Sequence, residues 1–332
     1  MEYPLISIII PVYNGASYIV ETIESVLSQT YPNFEVVCVD DGSTDHSYSI
    51  IQAYAEKDNR IRLFQKKNEG LASISLKYGL DKALGDYYMY SSQDDLLDET
   101  LFEKAALEIS KSEPDVVIPN LVCYSGNKSD HSFRTFWNET VPHPERINNI
   151  EAFTLSLNWR IHGYGMYKIS VARRVGIYTF NYNSDEYTTR KLLLECRKIS
   201  FSDSIFFYRI DNRNAITKKM SIKLYDVFET NRLLEELAIE YGVTQTVILN
   251  MRELALNDVA IRQKYLYLYG TELTVQERLL AAKMTFDEYN RILSKSELYR
   301  NDFLRRLLFT HGFGLLRFSM YIRSIFTRIC RQ

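Results

Sequence analysis

SIIIPVYNGASYIVETIESVLSQTYPNFEVVCVDDGSTD, residues 7–45, holds two apolar runs, each ending in polar turn residues, with a helix-spaced segment between them. Ile6–Val12 is continuous and rich in β-branched residues, as expected for a strand covered on both faces. Tyr13-Asn14-Gly15 reads as a turn, and Ile19, Ile23, Val26 and Leu27 recur at helical spacing within 16–29. Phe34–Val39 is a second buried strand running into Asp40-Asp41-Gly42-Ser43, after which Ser43 or Thr44 can cap a helix. Working outward, the pattern repeats. Ile61–Gln65 reads as a strand, Asn68-Glu69-Gly70 opens a helix reaching about Leu84, and Tyr87–Tyr90 is a strand ending at Ser91-Ser92-Gln93-Asp94-Asp95. This alternation predicts an α/β fold with a mostly parallel sheet flanked by helices. Ligands of such sheets bind beyond the carboxyl ends of the strands, where Tyr13, Asp41, Asn68, Asp94 and Asp95 fall.

The remaining sequence narrows the class. With 332 residues, 46% hydrophobic and 25% charged, the chain is neither disordered, collagen-like nor a disulfide miniprotein. Cys38, Cys123, Cys196 and Cys330 form no CxxC pair and read as free thiols in a reducing compartment. Leu5–Val12 is too short and lacks the basic flank of a signal segment, and no stretch of about 18 apolar residues suggests a membrane span, so a cytoplasmic location is expected. Residues 121–215 are irregular, with His131, Trp137, His143, Trp159, His162, Gly163 and Gly165 and a strand-like Ser204–Ile210. From about Ser221 the apolar spacing turns helical.

Asp40-Asp41 and Asp94-Asp95 each follow an apolar strand. Adjacent carboxylates repel one another, and Mg²⁺ or Mn²⁺ relieves that repulsion while also binding substrate phosphates. Taken singly, each pair reads first as a solvated turn or a helix cap. The isolated histidines lack metal-ligand spacing and read as loop or core residues.

Taken in order, Pro11-Val12-Tyr13-Asn14, Ser28-Gln29-Thr30, Asp40-Asp41-Gly42-Ser43-Thr44-Asp45, Asn68-Glu69-Gly70 and Gln93-Asp94-Asp95 resemble the family 2 glycosyltransferases. These are inverting enzymes of the GT-A fold that use nucleotide-sugar donors. The resemblance is dense over about 4–110 and continues weakly to about 215. It implies a nucleotide cradle at Pro11, Val12, Tyr13 and Asn14, with Tyr13 able to stack on the base and Asp41 accepting a hydrogen bond from it. Asp40 would hold the turn. Asn68 and Gly70 would line the cleft near the ribose or diphosphate, joined by Gln93 and Asp94. Asp94 and Asp95 would hold Mn²⁺ or Mg²⁺, which of the two ligates being left open. Two departures stand out: Ser92 occupies the position of the first acid of the common DxDD form, and the usual arginine after Gly70 is missing, leaving Lys77 as the candidate cation.

An inverting displacement needs a base for the acceptor hydroxyl. The family places an acidic pair ahead of a helix and then a YxYR-like strand. Here Ser184-Asp185-Glu186-Tyr187 precedes TTRKLLLECRKISF and then Phe206-Phe207-Tyr208-Arg209. The resemblance puts Asp185 on the catalytic acid and Ser184 on its partner, with Glu186 one register away as the rival; helix capping is the plain alternative. Trp159, His162 and Gly163 lie where the family shapes its acceptor site. Arg209, Arg213, Lys218 and Lys219 could reach a diphosphate or form a solvated face.

Residues 300–332 carry seven arginines and one acid, a charge of +6, which leaves −8 on residues 1–299. Leu315, Phe318, Ile322, Ile325, Phe326 and Ile329 fall on one helical face, opposite Arg317, Arg323, Arg328 and Arg331. Such a helix can lie on an anionic membrane surface, pack on its own domain, or join a homo-oligomer. The expected organisation is a catalytic domain over 1–220 and a helical region over 221–332. The expected activity is transfer of a hexose or N-acetylhexosamine from a UDP-sugar to a glycan hydroxyl, on a free or lipid-linked acceptor, in bacterial surface polysaccharide synthesis. No nucleic-acid partner is expected. The alternatives are an inactive glycan-binding module or another nucleotide-dependent transferase. A dinucleotide oxidoreductase is disfavoured because no GxGxxG follows the first strand.

Overall fold

The computed structural model describes residues 4–126, 144, 147–212 and 218–294. His131, Trp137, His143, Arg213, Cys330 and the basic segment 300–332 lie outside the described residues. The chain divides into two compact units, Met1–Phe180 with Ser184–Asn212, and Asn181–Asn183 with Arg213–Gln332.

The first unit runs β1 (Ile6–Val12), α1 (Ile19–Leu27), β2 (Phe34–Asp40), α2 (Ser47–Ala55), β3 (Ile61–Gln65), α3 (Ala72–Lys82), β4 (Tyr87–Tyr90), β5 (Leu96–Leu97), α4 (Leu101–Ser112), β6 (Val116–Tyr124), α5 (Asn149–Ser156), β7 (Met166–Lys168), α6 (Ile169–Val175), α7 (Ser184–Glu195) and β8 (Ile199–Arg209). The sheet order is β3-β2-β1-β4-β7-β6-β8-β5. β1 pairs in parallel with β2 and β4, and β2 with β3, as the sequence pattern predicts. The far half is mixed: β7 is antiparallel to both β4 and β6, and β5 is antiparallel to β8.

Every residue of β1 is buried because both faces are covered. Ile6, Ile8, Ile10 and Val12 pack with Ile19, Ile23 and Val26 of α1 and Phe102 of α4. Ile9 faces the other way, into a cluster holding Leu76 and Leu80 of α3 and Leu192 and Leu193 of α7. α2 begins later than Ser43 or Thr44, and the reason lies in the loops. Ser43 Oγ accepts the Asn14 N–H (3.0 Å), Thr44 donates its N–H to Asn14 Oδ1 (2.8 Å), and Asp45 Oδ1 accepts the Ser47 N–H (2.9 Å).

The second unit is helical over its described residues, with α8 (Val227–Glu240), α9 (Gln245–Tyr269) and α10 (Val275–Ser294) and short 3-10 turns at Ile222–Asp226 and Gly270–Glu272. Tyr225, Phe228, Leu256, Val259, Tyr289 and Ile292 form its core. Within it, buried Glu235 pairs with Arg252 and Arg291, each at 2.7 Å. Among the described residues, no helix is long and apolar enough to cross a membrane.

α3 lies close over β1 and β2 at Gly79, where a Cβ would stand 2.4 Å from Ile9 Cγ2 and 3.3 Å from Val39 Cγ2. Both neighbours are β-branched and held in the sheet. Gly79→Ala is therefore expected to cost about 1–3 kcal/mol of stability through overpacking. Urea denaturation measures this, and an unchanged midpoint would mean the helix has room to shift.

Candidate active site

The loops after β1, β2, β3 and β4 meet at the carboxyl ends of the parallel strands. The side chains of Pro11 and Val12 are buried in β1, and the Val12 carbonyl accepts the Asp41 N–H at 2.7 Å. Tyr13 is 45% exposed, its ring being the one large apolar surface of the cradle open to solvent. The side-chain amide of Gln93 grips its main chain, accepting the Tyr13 N–H (2.8 Å) and donating to the Tyr13 carbonyl (3.1 Å). Gly15 makes room for that amide, since a Cβ there would lie 2.4 Å from Gln93 Oε1. Asn14 binds Thr44 through its side chain, so the first loop is laced to the second before any ligand arrives.

Asp41 is buried, and its Oδ1 accepts from Lys66 Nζ at 2.6 Å. Lys66 also pairs with Glu69 (2.8 Å) and donates to the Lys67 carbonyl (3.0 Å). Asp40 holds the turn, its Oδ2 accepting from the Ser43 N–H (3.2 Å) and Gln65 Nε2 (3.1 Å). Asn68 Oδ1 accepts the Gly70 N–H at 2.7 Å. Lys77 sits on the solvent side of α3, paired with Asp81 at 3.3 Å, and does not line the pocket described below.

Beyond β4 the two acids are fixed from the far side of the sheet. Asp95 is buried, its Oδ1 accepting the Arg209 N–H at 2.9 Å. Among the described residues its Oδ2 is buried with no hydrogen-bond partner. Burial, followed by the neighbouring Asp94 charge, pushes the Asp95 carboxyl well above the usual range. Asp94 Oδ2 accepts from Asn212 Nδ2 at 2.6 Å. The Arg209 side chain is not on a solvated face. Its Nε donates to the Asp94 carbonyl (2.9 Å), its guanidinium pairs with Glu21, and it lies 4.9 and 4.8 Å from the ring centroids of Tyr18 and Tyr124. Among the described residues no three His, Cys, Asp or Glu side chains converge. Two adjacent hard oxygen donors, one of them orphaned, nevertheless suit Mg²⁺ or Mn²⁺ when substrate phosphates complete the shell.

A pocket in the same unit brings Trp159, His162 and Gly163 together with Asp185 and Glu186. Asp185 and Glu186 lie in the first turn of α7. Asp185 opens to the pocket with protein close around it. Desolvation, then the Glu186 charge, raises its carboxyl to about 6. Glu186 is engaged by Arg190 one turn along the helix, and Arg190 also donates to the Ser156 carbonyl at 3.0 Å. Both His162 nitrogens are occupied: Nδ1 accepts the Tyr164 N–H (3.3 Å) and Nε2 meets the Pro119 carbonyl (2.9 Å), so the ring is a buried wall. Trp159 has φ +64° and is 42% exposed; a bulky residue in the left-handed region is uncommon and marks a local constraint. The sequence reading missed Lys66, Asn212, and the ring stack of Tyr164 on Phe206 (4.2 Å) and Tyr90 (5.6 Å). The one local hint was Lys66, a cation directly after β3; nothing local marks Asn212 or the Tyr164 stack in the sequence.

Comparison with known proteins gives the family and the fold. The model of Glycosyl transferase family 2 matches residues 7–176. Glycosyltransferase GlyG of Streptococcus pneumoniae is 32% identical over 220 residues, 62% of this chain and 70% of that protein. Glycosyltransferase GlyA of the same organism is 28% identical over 218 residues, and the chain spans 30% of its length. In overall fold the chain is similar to residues 1–349 of S. aureus TarS solved with UDP-GlcNAc, with TM-score 0.69, 20% identity, and coverage of 98% of this chain and 92% of that one. It is also similar to a mannosyltransferase of Pyrobaculum calidifontis solved with GDP-Man and Mn²⁺, with TM-score 0.54, 17% identity and coverage of 99% and 88%.

Arg209→Met keeps much of the side-chain volume and removes the charged bond to the Asp94 carbonyl. The expected loss is about 1.5–3 kcal/mol of stability, the range for a hydrogen bond to a charged group, read by chemical denaturation. An unaltered unfolding curve would show that the loop after β4 holds its shape without the guanidinium.

Proposed function

The chain belongs to glycosyl transferase family 2, and from that premise we propose an inverting enzyme that moves a hexose or N-acetylhexosamine from a UDP-sugar to a glycan hydroxyl in bacterial surface polysaccharide synthesis. The observation that carries this reading is the pocket in which Asp185, free of any ion pair among the described residues, stands beside Trp159 and Gly163. Glu186, the rival base, is held by Arg190.

In the proposed reaction Tyr13 stacks on the base and Asp41 accepts its ring N–H. Pro11, Val12 and Asn14 form the floor beneath, Gln93 fixes the Tyr13 peptide, and Asn68 and Gly70 border the ribose and diphosphate. Asp94 and Asp95 would hold Mn²⁺ or Mg²⁺ against the diphosphate, where the ion neutralises the charge of the leaving nucleotide. The Asp185 carboxylate takes the proton of the acceptor hydroxyl. The hydroxyl oxygen bonds to the anomeric carbon from the face opposite the leaving group. The bond from that carbon to the phosphate oxygen breaks, UDP departs with its electron pair, and the configuration inverts. Asp185 then returns its proton to solvent. Trp159 and Gly163 flank the acceptor, with His162 behind them as a fixed wall.

Asp185→Asn is expected to abolish transfer while UDP affinity stays within about threefold, since a base contributes about 10²–10⁴ or more to such a step. Residual turnover near the parent rate would remove Asp185 from the mechanism. Because the carboxylate is the proton-accepting form and its pKa is raised to about 6, kcat/KM should fall as pH drops below about 6 and level off above it. A pH profile flat from 5 to 8 would contradict that role. Asp94→Ala and Asp95→Ala are each expected to weaken UDP binding in the presence of Mn²⁺ and to remove the dependence on the ion. Titration calorimetry with and without chelator measures both effects, and metal-independent binding by the parent protein would refute the proposed metal site.

A further inference from the structure

Lys66 stands where a reader of the nucleotide base would need to stand. Its ammonium carries three donors, and all three are engaged: Asp41 Oδ1 at 2.6 Å, Glu69 Oε1 at 2.8 Å and the Lys67 carbonyl at 3.0 Å. The Lys66 side chain is only 11% exposed and that of Asp41 7%, whereas Glu69 is 53% exposed. Glu69 is thus the partner that can let go. Among the described residues the Asp41 carboxylate accepts from Lys66 through Oδ1, which leaves Oδ2 to a ligand.

The chemistry of the bases gives this arrangement a meaning. The edge of uracil presents a ring N–H flanked by two carbonyls. A lone carboxylate can accept that N–H with one oxygen, but its other oxygen then faces a carbonyl, and two acceptors repel. A cation already seated on the second oxygen turns the pair into an acceptor beside a donor, which complements the N–H and carbonyl of uracil. Guanine presents two adjacent N–H groups, which a bare carboxylate binds through both oxygens; there a cation on Oδ1 competes with the second N–H. Adenine and cytosine present a ring nitrogen acceptor that the carboxylate repels.

We infer that Lys66 is a specificity-determining residue that, together with Asp41, selects uracil over guanine by donating to a uracil carbonyl once Glu69 releases it. This deepens the proposal of a UDP-sugar donor and rests on it. Selection arises partly from repulsion of the wrong base rather than from added attraction to the right one.

The test is calorimetric titration of the full chain with UDP and with GDP, in Mn²⁺, for the parent, Lys66→Met and Lys66→Arg. Lys66→Met is expected to weaken UDP by about tenfold or more, the loss of a charge-assisted hydrogen bond, while GDP changes by less than about threefold or tightens. Lys66→Arg should keep most of the preference. Equal losses for both nucleotides, or no loss for either, overturn the inference. A parent that binds GDP as tightly as UDP overturns the UDP reading and this inference with it; a parent that prefers UDP, with the preference intact in Lys66→Met, overturns the inference alone. Should Lys66→Met not fold, Glu69→Ala decides, because the exposed Glu69 carboxylate can be removed without opening a cavity. Freeing Lys66 is expected to raise the UDP-to-GDP affinity ratio by about two- to fivefold, and an unchanged ratio overturns the inference.

Discussion

β1 has no solvent face, and the rest of the catalytic unit follows from that constraint. Its alternate residues serve two separate cores, α1 and α4 on one side and α3 and α7 on the other. A strand with both faces covered has room for polar chemistry only at its ends. The residues that follow β1 and β2 must therefore satisfy their own polar groups, and they do so by binding each other, Asn14 to Thr44 and Ser43, Ala16 to Asp45 (3.0 Å). The outcome is a preformed cleft edge whose shape does not wait for a ligand.

Holding two adjacent carboxylates in a low-dielectric site is unfavourable unless something opposes their repulsion. Here the opposing groups come from the end of β8. The main chain of Arg209 caps Asp95, its side chain holds the Asp94 carbonyl, and Asn212 takes the Asp94 carboxylate. One oxygen of Asp95 has no partner among the described residues. An unsatisfied buried acceptor costs free energy in the absence of a ligand and is a common mark of a site built for another partner. Asp185 follows a different logic: its carboxyl is raised by desolvation and then by the Glu186 charge.

What could be read in the sequence was whatever depends on near neighbours. Ile6–Val12 and Tyr87–Tyr90 have the bounds their apolar runs suggest, because burial on both faces leaves a continuous run, whereas Ile61–Gln65, at the sheet edge, buries only Ile61 fully. The acids after β4 were visible as a local departure from that pattern, whereas those opening α7 stood out only through the family resemblance, since by themselves they read as a helix cap. β7 was not, since three residues have no periodicity and their strand character comes from pairing with β4 and β6. Nor was the role of Arg209, whose partner at Asp94 is 115 residues away. Its place directly after β3 is the only local mark of Lys66; it is the fold that sets it on Asp41.

The insertion of β7 has a geometric consequence. Gly163 and Tyr164 line the pocket beside Asp185, and the chain enters β7 at Met166. Met166 pairs with Met89 of β4, the strand that leads to Asp94 and Asp95. The wall of one site and the root of the other are thus neighbouring rungs of a single ladder. Their separation is quantised: it can change only by whole residues of register, and a one-residue slip would turn every side chain of β7 to the opposite face. A different ligand in this pocket would have to be accommodated by replacing side chains on a wall whose register is fixed, never by sliding that wall.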